Sequence, residues 1–251
     1  MRSLKQRLIT ESALIAGLAA WFLMSGRVPA YVLPDPLAVA GAAWDLLTDP
    51  ALAVHTLASA LRVVTALAAA MAAGTVLVLA AYYVPALRGL VNERLTPFFN
   101  AFPTLGWAIL AVLWFGITDT GVIFVQAAIL LPFVLITLWE GVSNLDAEMV
   151  EMARSFTRSE VRVLGKVIAP MLLPYAFAAM RMSYGVSWKI ALIAEIFGTN
   201  RGLGYLMTLA RSNFDSRMLF AAVLVVIVLV FAGDRFVFAP IQRRLTAWRA
   251  A

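Results

Sequence analysis

The stretch EGVSNLDAEMVEMARSFTRSEVRVLGKVIAPMLLP, Glu140 to Pro174, is the one long polar interruption in an otherwise apolar second half of the chain. Asp146, Glu148 and Glu151 come first, and Arg154, Arg158, Arg162 and Lys166 follow at four-residue spacing. Acids early and bases late suit a helix macrodipole. Asp146 is placed to cap the helix, its carboxylate accepting from the first free backbone N–H groups. Met149, Met152, Ala153 and Phe156 recur at i, i+3, i+4 and i+7, which makes one apolar face. Thr157 to Ser159 breaks the pattern, and Ser159 is placed to cap a second short helix. The segment predicts a helix–turn–helix lying outside the hydrocarbon, with an apolar stripe that needs something to dock on.

The rest of the chain sets where that segment sits. The sequence is 251 residues long, 63% hydrophobic and only 14% charged, with a mean hydropathy of +0.88. A soluble domain is nearer half apolar and a quarter charged, so the composition requires an integral membrane protein. At roughly 20 residues per span plus loops, the length holds about six helices. There is no cysteine, which excludes disulfides, thiolate chemistry and cysteine metal sites. The formal charge of +6 is read as basic cytoplasmic loops, not as nucleic-acid binding.

Six spans are expected: Leu8–Met24, Leu57–Val84, Leu95–Ile117 with Pro97 and Pro103 inside it, Gly121–Trp139, Met171–Phe197 and Arg217–Ala239. The basic start Arg2, Lys5, Arg7 before a short apolar run fits a cleaved signal, but a retained first helix is expected. Ser25 to His55 is a proline-punctuated loop in which Leu37–Leu47 reads as a short interfacial helix. Pro85 to Glu93 reads as a polar turn, Thr118 to Thr120 as a tight turn, and Gly198 to Ser216 as a loop. With the N-terminus inside, twelve basic residues fall in cytoplasmic segments and four outside, while Arg62, Arg181, Lys189 and Arg235 lie in or at spans. That bias puts both termini and the Glu140–Pro174 segment in the cytoplasm. The chain is read as one membrane domain over 1–251: first helix and outer loop 1–56, a five-helix core 57–240 and a basic tail 241–251.

Chemistry of its own is hard to find. A phosphate-binding loop needs G-x-x-x-x-G-K-[ST]. The one Gly-Lys pair, Gly165–Lys166, is followed by Val167, and Glu160 stands where the first glycine belongs. The single histidine, His55, has no second ligand in helical register and there is no G-x-S-x-G elbow, so His55 reads as an interfacial cap. No cofactor and no metal site is expected.

From Glu151 the chain reads EMARSFTRSEVRVLGKVIAPMLLPY. This resembles the E-A-A loop of ABC-importer permeases, E-A-A, three residues, Gly, nine residues, I-x-L-P. Glu151, Ala153 and Pro170 match; Met152, Thr157, Val167 and Ala169 depart. Thr157 replaces the glycine that eases the turn between the two short helices. FFNAFPTLGWAILAVLWFGI, Phe98 to Ile117, and AEIFGTNRGLGYL, Ala194 to Leu206, resemble the branch that imports sulfonates, taurine, nitrate and thiamine precursors, and the likeness runs in order from Leu33 to Trp248. It implies an all-α, six-span homodimeric permease of the bacterial inner membrane, with a cytoplasmic coupling helix–turn–helix between the fourth and fifth spans. ATP would be bound by separate ATPase subunits, and solute delivered by a periplasmic or lipid-anchored binding protein. The coupling residues would be Met149, Glu151, Met152, Ala153, Arg154, Ser155, Phe156 and Thr157. On charge alone, the bases of this segment equally suit lipid phosphates.

Charges at membrane depth face a cavity or a partner. Arg181, Trp188 and Glu195 are seven apart, share a face and are candidates for a translocation path, with Lys189 about 80° from Arg181 around the helix. Lys189 and Arg181 are expected to line a path and attract an anion; the alternative is that Arg181 and Glu195 pair with neighbouring helices while Lys189 snorkels. Asn100, Pro103 and Trp107 are further path candidates, because a proline-interrupted helix frees carbonyls. Asp234 and Arg235 read as snorkelling residues. The function so reached is a permease subunit for a small anionic solute such as a sulfonate, taurine or nitrate. A membrane-embedded enzyme or scaffold without an ATPase is the alternative.

Overall fold

The computed structural model describes the backbone of residues 4–246 and the side chains of most of them. Every regular element among the described residues is helical. We number them α1 (Leu4–Ser25), α2 (Pro36–Thr48), α3 (Pro50–Tyr83), α4 (Ala86–Ala101), α5 (Thr104–Phe115), α6 (Asp119–Ser143), α7 (Ala147–Phe156), α8 (Glu160–Gly198), α9 (Leu203–Ser212) and α10 (Ser216–Arg244). Four of them, α3, α6, α8 and α10, are long and apolar enough to cross a membrane, and α4 with α5 makes a fifth candidate bent by 89°. The chain divides into two compact units, one of Met1–Ala58 with Arg201–Val228, the other of Ser59–Asn200 with Leu229–Ala251.

In the first unit, Asp35 caps α2 by accepting from the N–H groups of Leu37 and Ala38, both at 3.1 Å. Pro36 follows at the first helical position, where no N–H is needed. Val39, Ala42, Ala43 and Leu46 form the buried edge of α2, spaced as one helical face. The Thr56 hydroxyl donates to the Leu46 carbonyl at 2.8 Å. On α1, the Trp21 indole N–H donates to the Pro34 carbonyl at 3.0 Å, and its ring packs 6.1 Å from Phe220. His55, within α3 and not in the expected loop, accepts the Gly202 N–H on Nδ1 at 3.1 Å. Gly202 sits at φ 115, open to glycine.

The expected loop at Gly198–Ser216 instead holds α9, ended by a Schellman motif. The Asp215 N–H reaches the Ala210 carbonyl at 2.8 Å and the Phe214 N–H reaches Arg211 at 3.3 Å, the paired bonds of that motif. Its left-handed position, normally glycine, is Phe214 at φ 56. A side chain there costs about 1–2 kcal/mol.

The second unit is built on α6 packed against α8. Ala179, Ser183, Ser187, Ala191, Ala194 and Gly198 are all buried on one face of α8. Small residues at four-residue spacing let two backbones approach where lipid offers no hydrophobic drive. A Cβ on Gly198 would meet Val122 of α6 at 3.0 Å, and one on Gly74 of α3 would meet Val134 of α6 at 2.5 Å. Leu130, Val134 and Leu135 of α6 are fully enclosed among Val78, Ala81, Trp107 and Ile190.

The segment expected as a polar turn at Pro85–Glu93 is helical. Leu87, Val91 and Leu95 pack on the core from one face, while Glu93 and Arg94 stay exposed. Arg88 donates to the Ala81 and Tyr82 carbonyls at 3.3 and 3.4 Å, satisfying the orphan acceptors at the end of α3. A π-turn over Leu90–Leu95 carries the helix on to Ala101. The break then falls at Phe102–Pro103: Pro103 cannot donate into the preceding turn and disfavours α backbone before it.

Candidate functional site

Three places in the second unit bear on function: the α7 segment, a buried ion cluster, and the open face of α8. In the first, the Asp146 carboxylate accepts the Met149 N–H at 3.2 Å, as its position predicted. Ser159 makes no side-chain cap. The Thr157 hydroxyl takes the Ser159 N–H instead, at 3.2 Å, because a hydroxyl two residues back closes the tighter turn. Val150 is 4% exposed and packs with Val163, Ile168 and Leu172, and Ala153 lies at the edge of that cluster. The apolar stripe is therefore split. Ala153, together with Val150 outside the stripe, anchors α7, worth about 1.5–3 kcal/mol for the valine, while Met149, Met152 and Phe156 face outward at 44%, 56% and 85% exposure. Val161 adds a further exposed apolar side chain. Glu151, Ser155 and Arg154 are exposed and Thr157 is half-buried. Arg154 ties α7 to α8 by a forked pair with Glu160, at 3.1 and 3.2 Å. Those hydrogen bonds raise the Arg154 pKa above its usual value.

The second place was not legible as a cluster. Arg62 of α3 is buried, and its Nη1 donates to Glu195 Oε1 at 2.7 Å. Its Nε and Nη2 both reach Asp119 Oδ1, at 3.0 and 2.5 Å, and Nη2 also reaches the Thr199 hydroxyl at 3.1 Å. Ser59 donates to the other Glu195 oxygen at 2.8 Å. One guanidinium thus holds three helices together near the Asp119 end of α6. Desolvating a carboxylate this fully is tolerable only with such paired donors. Arg181, in turn, forks onto Asp234 of α10 at 2.6 and 3.0 Å and donates to Gln242. Asp234, expected to snorkel, is an ion-pair partner: the π-turn at Gly233–Phe238 brings its carboxylate beside Arg181.

The third place is the face of α8 opposite the small-residue stripe. Ala178, Met182, Lys189, Ile193 and Ile196 are exposed and Gly185 has open space where a Cβ would be. They lie at steps of three and four, a single face along the helix. Lys189 is in its middle, nine residues or about 14 Å from the Gly198 end. No hydrogen bond or ion pair reaches it among the described residues. Of the remaining path candidates, Asn100 and Pro103 are exposed, while Trp107 and Trp188 are buried. Trp107 is stacked on Phe99 at 5.5 Å and edged by Phe102 and Phe124. Among the described residues its indole N–H has no hydrogen-bond partner, and neither do the Gln126 amide nitrogen and the Ser183 hydroxyl.

Comparison with known proteins agrees with this architecture. Residues 67–245 match the family described as "Binding-protein-dependent transport system inner membrane component". The chain is 30% identical over 221 residues, 88% of its length and 78% of the relative's, to the taurine transport system permease protein TauC of Escherichia coli. It is 26% identical to the putative aliphatic sulfonates transport permease protein SsuC of Bacillus subtilis, over 92% of this chain and 84% of that one. It is 29% identical to the riboflavin transport system permease protein RibX of Chloroflexus aurantiacus, over 97% and 90%. A membrane-spanning helical core, a polar helix–turn–helix and a family match across most of the chain converge: it belongs to the binding-protein-dependent transport system inner membrane components and is the permease subunit of an ABC importer.

Proposed function

We propose that the chain is one half of a homodimeric inner-membrane path for a small anionic solute, driven by separate ATPase subunits and fed by a solute-binding protein. The single observation that carries this is Lys189, an ammonium with no ion pair among the described residues, in the middle of the uncovered face of α8. A cation at that depth has lost hydration and needs a partner to offset the loss. A solute anion in a water-filled path supplies one. The relatives named for taurine and aliphatic sulfonates support a sulfonate over other anions. Another relative is named for riboflavin, a solute of a different kind.

In this reading the six spans are α1, α3, the bent α4–α5 pair, α6, α8 and α10, and 1–251 acts as one permease domain. The basic-residue bias places both termini and α7 in the cytoplasm. There Met149, Met152 and Phe156 enter a groove on the ATPase, Glu151, Arg154 and Ser155 rim it, and Thr157 closes the turn. The pathway face comprises Lys189 with Asn100 and Pro103 at the helix break. Arg181, Glu195, Trp107 and Trp188 stand behind it as supports, since each is buried or already paired.

Two experiments test the proposal. A tagged chain that never copurifies with an ATPase subunit rules out the importer assignment. In reconstituted transporter, Glu151→Lys leaves the protein in the membrane and uncouples hydrolysis from transport; normal substrate-stimulated hydrolysis in that variant removes α7 from the coupling role.

A further inference from the structure

Phe214 is a bulky side chain in a left-handed backbone position, and its ring is 77% exposed. Most of its surface is open, so it has little packing to offset that conformation. Strain of this kind persists where the surroundings or the function require it. Beside it, the Ser216 hydroxyl donates to the Tyr31 carbonyl, which brings a second exposed aromatic to the same place. Tyr31 and Val32 are 61% and 56% exposed, and Arg211 and Arg217 flank the ring in sequence, both exposed. The one acid at this spot, Asp215, is engaged in capping α10, accepting the Met218 N–H at 3.0 Å. The patch is therefore aromatic, apolar and positively charged.

We propose that Phe214, Tyr31 and Val32, rimmed by Arg211 and Arg217, dock the solute-binding protein, through an apolar pocket on that protein bordered by carboxylates. This deepens the importer reading and rests on it. The connection from Thr199 to Asp215 leaves α8 at the end opposite α7, which is the outer side in that reading. The family's own description requires a binding protein as partner. Aromatic and arginine side chains are the groups that dominate protein interfaces. A lipid interface is the competing occupant: it favours Trp and Tyr, whose polar tips face water, which suits Tyr31 but not Phe214, the residue in the left-handed position. A left-handed turn fixes the direction of the ring. Fixed direction matters for a shaped pocket and gains nothing in a fluid headgroup layer.

The test uses the complete transporter, this chain with its ATPase subunits in lipid nanodiscs, and the system's own solute-binding protein. ATP hydrolysis is titrated with that protein. Phe214→Gly relieves the backbone strain and keeps the helix end, so basal hydrolysis is unchanged. The half-saturating concentration of binding protein rises by about tenfold or more, as for an anchor residue, with the maximal rate retained. Arg211→Glu raises it as well and flattens its dependence on salt. A Phe214→Gly half-saturation within twofold of wild type overturns the proposal, and so does a Phe214→Gly loss of basal hydrolysis, which would make the residue structural. If the patch serves lipid instead, half-saturation stays unchanged while the variant's activity shifts with headgroup composition. If wild type is not stimulated by binding protein at all, the importer reading fails together with this one.

Discussion

At the scale of single residues, two cations in the same unit have opposite fates. Arg62 is enclosed and satisfied by Asp119, Glu195 and Thr199; Lys189 is exposed and has no ion pair among the described residues. Removing Arg62 leaves Glu195 buried with its charge uncompensated, which costs about 3–5 kcal/mol. Arg62→Ala is expected to lower the unfolding temperature of the detergent-purified protein sharply. Arg62→Met with Glu195→Met recovers most of it, since Asp119 reaches water by itself. If the double variant melts as low as the single one, the pair is not what holds these helices. Lys189→Met, by contrast, leaves abundance and melting unchanged and slows anion uptake in proteoliposomes; normal uptake would make Lys189 a lipid-facing residue. Sequence spacing found Lys189 and set it apart from Glu195 on the same helix. It could not find Arg62 as the partner, because that contact joins positions 133 residues apart and nothing local marks it.

At the scale of elements, local signals were legible where one residue type forces the backbone. Asp146 caps α7 and Pro103 breaks the third span where their chemistry says they must. Of the six expected spans, α3, α6, α8 and α10 followed from apolar length, and the third came out as the bent α4–α5 pair. The polar turn expected before that span was misjudged because Pro85, Gly89 and the charges are conspicuous; Leu87, Val91 and Leu95 at four-residue spacing carried the helical signal. The apolar stripe of α7 was seen, but not that Val150 and Ala153 would be spent on anchoring it. Close packing offers a sharper test of the helix pairs. A Cβ at Gly233 on α10 would lie 2.5 Å from Cζ of Tyr184 on α8, whose hydroxyl donates to the Leu229 carbonyl at 2.8 Å. Gly233→Ala is expected to destabilise by about 1–3 kcal/mol. Adding Tyr184→Ala, which empties the space, makes the two changes non-additive. Additive losses in thermal melts would show that the ring and the glycine do not meet.

At the scale of the whole molecule, α8 divides its circumference between a small-residue face on α6 and an uncovered face. In the homodimer proposed here, single cysteines at Ala178, Met182, Gly185, Ile193 or Ile196 crosslink between copies at one position at least. Those at Ser183, Ser187, Ala191 and Ala194 do not. The chain has no cysteine of its own, so each product reports only the introduced site. A transporting particle that is strictly monomeric ends the homodimer proposal. The bent α4–α5 pair has one further consequence. Its second arm has 12 residues and reaches about 18 Å, against about 30 Å of hydrocarbon. With α5 upright, the first arm, at 89° to it, adds little depth. In that posture the bilayer beside α5 has to be shallow, or deform to become so, at a cost that grows with each ångström of mismatch. The transporter is therefore a gauge of membrane thickness: reconstituted in phosphatidylcholines of increasing acyl length, it works best in the thinner bilayers and loses turnover as the chains lengthen.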